Sequence, residues 1–427
     1  MTADQIGVYF DRLWPILRSI TGDGVRETHD ILSELIPLER IEVPSGTCVF
    51  DWQVPKEWVV REAYLIAPDG QRILDVNDNN LHLLNYSVPF RGTVHRNELD
   101  SHLFSLPDQP DAIPYVTSYY SPRWGFCLSQ RQRDALPDGI YRVVIDTDHI
   151  DGSMTLGEAV LRGRQDREVL ISTNTCHPSL ANNELSGPLV SAFLYRRLAA
   201  LEERQLTYRF VFLPETIGSL AYLWLRGDHL RKHMVAGYTV TCVGDAGRFT
   251  YKRSRIGNGL PDRAAEHVLS RKFGSEFTIM DFFPDDGSDE RQYCSPGFNL
   301  PVGSLMRTMY GKYAEYHTSL DNRDFVSFES MVESVEAYYQ IIRVLDMNAT
   351  YKNIMPYGEP QLGKRGLYPT LGTKGTAAET SAIMWLLSSS GGDTDLLAIA
   401  DKSGHQMDLL SSVAQKCLNA GLLERVS

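Results

Sequence analysis

His177-Pro-Ser-Leu-Ala-Asn-Asn-Glu-Leu-Ser-Gly187 is the stretch on which the reading of the whole chain turns. An apolar run, Val169-Leu-Ile171, precedes it, and a segment of helical spacing, Gly187 to Leu201, follows. It therefore sits where a buried strand hands over to a helix, which is where function collects in open α/β sheets. Further on, Tyr208-Arg-Phe-Val-Phe-Leu213 and Tyr238-Thr-Val-Thr-Cys-Val243 are apolar strand-like runs, and Ser219 to Leu230 has helical spacing. Strands alternating with helices, and apolar throughout, predict a mostly parallel sheet covered on both faces. Residues 328 to 346, with Met331, Val335, Tyr338, Ile342 and Leu345 on one stripe, read as the helix that closes this domain.

Upstream, Ile6, Tyr9, Phe10, Leu13, Leu17 and Ile20 recur at three- and four-residue steps until Thr21-Gly-Asp-Gly24 breaks the rhythm, and a second helix follows from about Arg26 to Leu35. From about Asp51 to Ile145 the texture changes to short β-like runs with turn signals at Pro68-Asp-Gly70 and Pro137-Asp-Gly139. This block reads as a small β-rich insertion, residues 51–145, in a domain made of residues 1–50 and 146–350. Its aromatic run, Ser118-Tyr-Tyr-Ser-Pro-Arg-Trp-Gly-Phe126, is either a hairpin packed on the sheet or a rim of the substrate cleft with Tyr119, Arg123 and Trp124 facing the ligand.

A Pro/Gly-rich bridge from Met355 to Gly375 separates a last segment, residues 360–427, in which Thr376–Leu387, Thr394–Ala400 and Met407–Ala420 read as three helices. The short turn at Gly404 between the last two resembles a helix-turn-helix with a wing. From Pro360 to Ser427 there are six Lys/Arg and six Asp/Glu. A neutral surface lacks the phosphate attraction that dominates DNA affinity, so the expected partner is protein, another copy of the chain included, rather than DNA.

Composition is that of an ordinary globular protein: 427 residues, 43% hydrophobic and 22% charged, with a net charge of -12 that argues against general affinity for nucleic acid or anionic membrane. The first residues carry no basic, apolar leader, and no apolar run approaches the roughly 18 residues that span a bilayer. The expectation is a cytoplasmic protein with no membrane partner. Six scattered cysteines without a Cys-x-x-Cys pair read as reduced thiols, mostly core.

Polar groups follow strands or turns at several points: His177 and Glu184, Glu215 in Pro214-Glu-Thr-Ile-Gly-Ser219, Asp245 in Val243-Gly-Asp-Ala-Gly247, and His317 in Tyr316-His-Thr-Ser-Leu-Asp321. All could converge on the carboxyl edge of one sheet. Zinc takes imidazole and carboxylate ligands, three from the protein in a catalytic site, with the fourth position open to water. Two histidines, one acid as ligand and a second as base form a complete set for hydrolysis. Taken singly, each is weak evidence: a lone loop histidine is more often structural, and an acid after a strand is often a helix cap.

The ordered combination resembles the zinc aminopeptidases of the phosphorylase/hydrolase-like fold. More closely, the chain is similar to a bacterial aminopeptidase-like family with a small β-rich domain inserted in the peptidase domain and a C-terminal winged helix. Cys176 to Pro188 matches that family's hallmark, and the resemblance covers nearly the whole chain. It implies an α/β zinc-peptidase domain. It also exposes departures from the two-zinc pattern: the bridging Asp falls at Asn183, a ligand Glu at Thr216 and a further Asp at Thr241. Neutral groups there bind a second dication poorly.

The expected centre is therefore one zinc ion held by His177, Glu184 and His317, with Glu215 activating the bound water and Asp245 as reserve ligand. Asp289, Glu290 and Arg291, with Tyr316, are the expected substrate contacts, the acids for an amino group and Arg291 for a carboxylate. The expected activity is hydrolysis of a small peptide-like or amide-bearing substrate. The alternative is a metal-free, inactive peptidase fold that serves as a scaffold and acts through its C-terminal winged helix.

Overall fold

A computed structural model describes residues 2–367 and 374–426. The chain forms two compact units, Met1–Asp262 with Ser275–Tyr338, and Arg263–Gly274 with Tyr339–Ser427. The bridge expected between Met355 and Gly375 lies partly outside the described residues.

The first unit is built on an eight-stranded mixed sheet. Its centre is parallel, in the order Thr207–Leu213, Glu168–Asn174, Met234–Thr239 and Val302–Met306. Glu39–Pro44 and Ser153–Leu161 add antiparallel strands on one side, and Phe249–Lys252 with Phe277–Met280 extend the other. Every residue of Glu168–Asn174 and Thr207–Leu213 is buried, as the continuous apolar runs predict for strands covered on both faces. The third run differs from its reading: the strand ends at Thr239, and Thr241-Cys-Val243 has left the ladder, with Cys242 in the left-handed region at φ 51°.

The helices that follow the strands are Ser186–Ala199 and Ile217–His233. Between strand and helix, Ala181–Leu185 forms a π-turn, in which the Leu185 N–H bonds Leu180 O five residues back at 3.2 Å. Such turns are frequent at functional sites. Gly187, the last residue of the hallmark, is needed for packing: a Cβ there would meet Thr173 Oγ1 and Val240 O, each at 2.3 Å.

The inserted block forms a four-stranded antiparallel sheet, ordered Arg72–Ile73, Glu57–Ile66, Ile140–Ile150, Phe90–His95. Its long strand continues past Ile145 to Ile150 before a turn leads into Ser153–Leu161.

In the second unit, helices Lys374–Ser389, Leu396–Ser403 and Met407–Asn419 accompany a three-stranded sheet ordered Gly391–Asp395, Thr350–Asn353, Leu423–Arg425. Asp395 caps the second helix at Ala398 N–H, 2.9 Å, and pairs with Arg263 at 2.7 Å, while Asp401 meets His267 at 2.6 Å. Part of this segment's acidic charge is thus spent within the unit. No helix among the described residues is long and apolar enough to cross a membrane.

Candidate active site

The sheet places His177 three residues beyond the end of one central strand and Glu215 two residues beyond the end of its neighbour. The two side chains face each other, His177 Nε2 to Glu215 Oε2 at 3.7 Å. The other nitrogen of the ring, Nδ1, contacts Glu184 Oε2 at 2.8 Å and Cys176 Sγ at 3.2 Å. Arg18 is fully buried and donates from Nε to the His177 backbone carbonyl at 2.9 Å.

Burial alone would push the His177 imidazole down, but Cys176 and Glu184 beside Nδ1 outweigh it and hold the group well above its usual range. Burial pushes the Cys176 thiol up to about 11, against the opposing pull of the neighbouring His177. The His317 imidazole is pushed down to about 3 by burial and by His177, which leaves it neutral and free to donate a lone pair.

His317 comes from a separate loop. Its ring centroid lies 5.4 Å from that of His177 at a tilt of 37°, and Tyr115 of the inserted block touches both rings, at 4.9 and 5.4 Å. Tyr316 stacks on the following His317 at 3.9 Å. His317 (φ 54°), Thr216 (φ 64°) and Ser179 (φ 47°) all lie in the left-handed region. For a β-branched residue such as Thr216 this is a genuine outlier, and strain of this kind persists only where its surroundings enforce it.

Here the enforcer is Asp289, whose Oδ1 accepts Thr216 N–H at 2.7 Å and Ser219 Oγ at 2.8 Å. Burial and the neighbouring Glu215 carboxylate push Asp289 up. The adjacent Ser288 donates to Glu215 Oε1 at 2.6 Å, fixing the carboxylate whose other oxygen faces His177. Ser288 is held in turn, because the Glu290 carboxylate accepts its N–H at 3.1 Å and pairs with the fully buried Lys252 at 3.0 Å. Of the expected substrate contacts, then, Asp289 and Glu290 are buried braces of the Glu215 loop. Arg291 directs Nη1 to Pro284 O at 3.4 Å. Arg123 bonds Thr117 O, and Trp124 stacks on His102 and Phe90, so of the aromatic run it is Tyr119 and Tyr120 that border the cleft.

Asp245, the reserve ligand, accepts from Asn182 Nδ2, Gly247 N, Thr308 N and Thr308 Oγ1 at 2.6 to 3.1 Å. Those four bonds make it a loop clamp. Asp321 plays the same part for the π-turn, accepting Asn182 N–H at 2.6 Å and Asn183 N–H at 2.9 Å.

Whether this donor set suits a metal can be judged from its unpartnered atoms. Among the described residues, Glu184 Oε1 and His317 Nε2 are buried side-chain atoms without a hydrogen-bond partner, and Asn183 Oδ1 is a third. Cys176, His177 and Glu184 hold their ligand atoms within 4.8 Å of one another, a sulfur, nitrogen and oxygen set of the kind zinc accepts. An ion on Nδ1 would take Cys176 and Glu184 as companions. An ion on Nε2 would have His317 and the Glu215 side, with Glu184 left to orient the ring, as carboxylates commonly do for metal-bound histidines. The residues fit one ion. A second has only the neutral Asn183, Thr216 and Thr241 to hold it, and the Thr241 hydroxyl is already donated to Asn183 O at 2.8 Å.

Four of these groups carry no signal of their own in the sequence. Cys176 stood inside the hallmark and Ser288 beside Asp289, so proximity was the available signal. Arg18 and Tyr115 arrive from far away in the chain and had none.

A cavity of about 250 Å³ gives access to the centre, bordered by Ile20, Tyr119, Tyr120, Cys176, His177 and Glu215. The family model of a domain of unknown function, DUF4910, matches residues 8–348, and a winged helix-turn-helix model matches residues 349–425. A Clostridium acetobutylicum protein described as a polysaccharide biosynthesis protein with an aminopeptidase-like domain is 45% identical over 426 residues, covering 100% of this chain and 97% of that one. A crystal structure from the same organism, described as that of a putative peptidase, superposes with a TM-score of 0.91 at 44% identity, covering 99% of this chain and 96% of that one. A zinc aminopeptidase from Bacillus subtilis shares the fold at a TM-score of 0.59 and 11% identity, over 80% of this chain and 94% of that one. The resemblance to aminopeptidase-like proteins and the α/β peptidase fold with a C-terminal winged helix are thereby borne out.

Proposed function

The chain belongs to the DUF4910 family, and from that premise and the geometry of the cleft we propose that it is a hydrolase of a peptide-like or amide bond that works with one zinc ion. The observation that carries the reading is Glu215: a carboxylate on the cavity wall, braced at Oε1 by Ser288 and facing His177 with Oε2 at 3.7 Å. The residues that would hold zinc are His177 and His317, with Glu184 beside them as the third member of the centre. Because Glu215 stands at Nε2, the arrangement favours an ion on that side, with Glu184 acting through the Nδ1 hydrogen bond that fixes the ring.

Zinc, when bound, lowers the pKa of water towards about 7 and polarises a carbonyl. The rest falls to the chain. Glu215 Oε2 accepts a proton from water and delivers it to the leaving amine, so that amide and water become carboxylate and amine. Ser288 keeps the carboxylate aimed during both transfers. Tyr119 and Tyr120 border the approach and exclude water from one side of the substrate. Aminopeptidase-like is the nearest label. The description of the Clostridium relative, however, draws the substrate class towards amide-bearing molecules of polysaccharide assembly.

A scaffold without a working metal centre is the second reading, favoured by the neutral Asn183, Thr216 and Thr241 and by the absence of His317 from the group within 4.8 Å. One experiment separates the two: metal content of the purified chain, with turnover of aminoacyl amides and N-acylated sugars before and after chelation. Near one zinc per chain and chelator-sensitive turnover are expected, whereas no metal, no turnover and no consequence of Glu215→Gln would leave the scaffold. For the winged-helix module we propose protein contacts, with a second copy of the chain among them; salt-sensitive DNA binding would refute that.

A further inference from the structure

The cavity that holds His177 and Glu215 adjoins a second one of about 620 Å³, and Trp52 and Tyr120 are walls of both. The hydrolysis described above makes no use of the second cavity. Its size is that of a pocket for a whole small molecule rather than for one side chain.

Four rings line it, those of Trp52, Tyr120 and Tyr86 and the imidazole of His149, which meets Tyr86 edge to face with centroids 4.5 Å apart. Trp52 and Tyr120 are 40% and 50% exposed and meet edge to face, with centroids 5.3 Å apart at 77°. Tyr86 is buried, with its hydroxyl spent on Lys56 O at 2.5 Å, so it offers the cavity the body of its ring. Tyr86 and Tyr120 hold φ values of 68° and 58°, a conformation that bulky residues adopt only under constraint. The strain falls on two of the residues that line this cavity.

The polar groups complete the picture. Lys56 pairs with Asp151 at 3.4 Å, so those charges offset each other. Asp51 is exposed, and Gln53 donates its amide N–H to Gly46 O at 3.0 Å, which leaves its carbonyl as an acceptor. The cavity thus combines flat apolar faces with carboxylate and amide oxygens that accept from hydroxyls. An anionic ligand would meet the Asp51 carboxylate. A phenyl group would strip water from these oxygens and give nothing back. A pyranose, with an apolar face of C–H groups and a rim of hydroxyls, satisfies both.

We propose that this second cavity is a sugar subsite, taking a neutral hexopyranose that is linked through an amide to the bond the Glu215 centre cleaves. The proposal takes its scissile bond from the hydrolase reading, while sugar binding itself does not need that reading to hold. The test is ligand-observed saturation-transfer NMR on the full Glu215→Gln chain, titrated with N,N′-diacetylchitobiose, and with phenylalanine amide for comparison. Saturable binding of the disaccharide is expected, about tenfold weaker after Trp52→Ala or Tyr120→Ala, as removal of one ring contact implies. Both rings are surface-exposed, and circular dichroism and melting check that the variants fold. No saturable binding, unchanged affinity in both variants, or preference for phenylalanine amide would overturn the subsite. Disaccharide binding without turnover of any amide by the unsubstituted chain would keep the subsite and remove the hydrolase; turnover of aminoacyl amides without sugar binding would do the reverse.

Discussion

The two central strands Glu168–Asn174 and Thr207–Leu213 carry a buried charge cluster at each end, and the clusters are built on opposite rules. At the amino end, Arg209 bonds Glu168 through Nε at 2.8 Å and Glu158 through Nη1 at 2.7 Å, while Tyr222 and His229 supply further contacts to the same two acids. None of these side chains has a buried atom without a partner. At the carboxyl end, Glu184 Oε1, His317 Nε2, Asn183 Oδ1 and Asp289 Oδ2 are all buried and unpartnered. Such atoms cost free energy in the folded state unless a partner is supplied, and the proposed ion would supply one. The amino-end cluster is saturated by its own partners, and the carboxyl-end cluster is not.

That contrast breaks most readily at Glu215. Glu215→Gln keeps the shape and removes the base, and turnover of whichever amide is accepted should fall by about 10²- to 10⁴-fold, with an unchanged melting temperature. Next in size, Arg209→Met strands two buried acids and should cost about 3–5 kcal/mol in chemical denaturation. The ligand centre should keep its zinc stoichiometry in the folded fraction. If Arg209→Met altered metal content while folded, the two ends would not be separate devices.

Glu184→Gln sharpens the role left open at the metal. As the group that orients His177, its loss should weaken zinc affinity by about 10- to 100-fold without changing stoichiometry. Complete loss of zinc would instead make Glu184 a ligand. The smallest effect is a pH dependence. Burial alone would raise Glu168, but Arg209 and His229 outweigh it and hold the carboxyl below its usual range. Its stabilisation is therefore present above an unfolded pKa of about 4.3 and is lost as pH falls through the lower folded value. Glu168→Gln should flatten that acid limb, measured as unfolding free energy against pH.

Continuous apolar strands and three-to-four-residue spacing made three of the four central parallel strands and their helices legible in the sequence, because full burial leaves an unmixed composition. Val302-Gly-Ser-Leu-Met306, the fourth, is short and mixed and was not legible. The flanking strands Glu39–Pro44, Ser153–Leu161 and Phe249–Lys252 were not legible. They are short or mixed in character, and what makes them strands is the ladder beside them. The helix Leu260–Phe273 shows the same limit from another side: its residues from Arg263 on belong to the second unit, whose own residues Asp395 and Asp401 pair with Arg263 and His267.

For the site, the sequence by itself determined the chemical inventory: two histidines, the acids Glu184 and Glu215, and the neutral Asn183, Thr216 and Thr241 where the two-zinc pattern carries acids. Strand ends and the hallmark put them on one edge of the sheet. Only the tertiary structure decided orientation. It turned Glu184 onto Nδ1 of His177, Glu215 towards Nε2, Asp289 and Glu290 inward as braces, and Asp245 onto its own loop. The reason is physical: residue type fixes which bonds a side chain can make, whereas the partner it meets depends on burial and on groups such as Arg18, Tyr115 and Ser288 that only folding brings within reach.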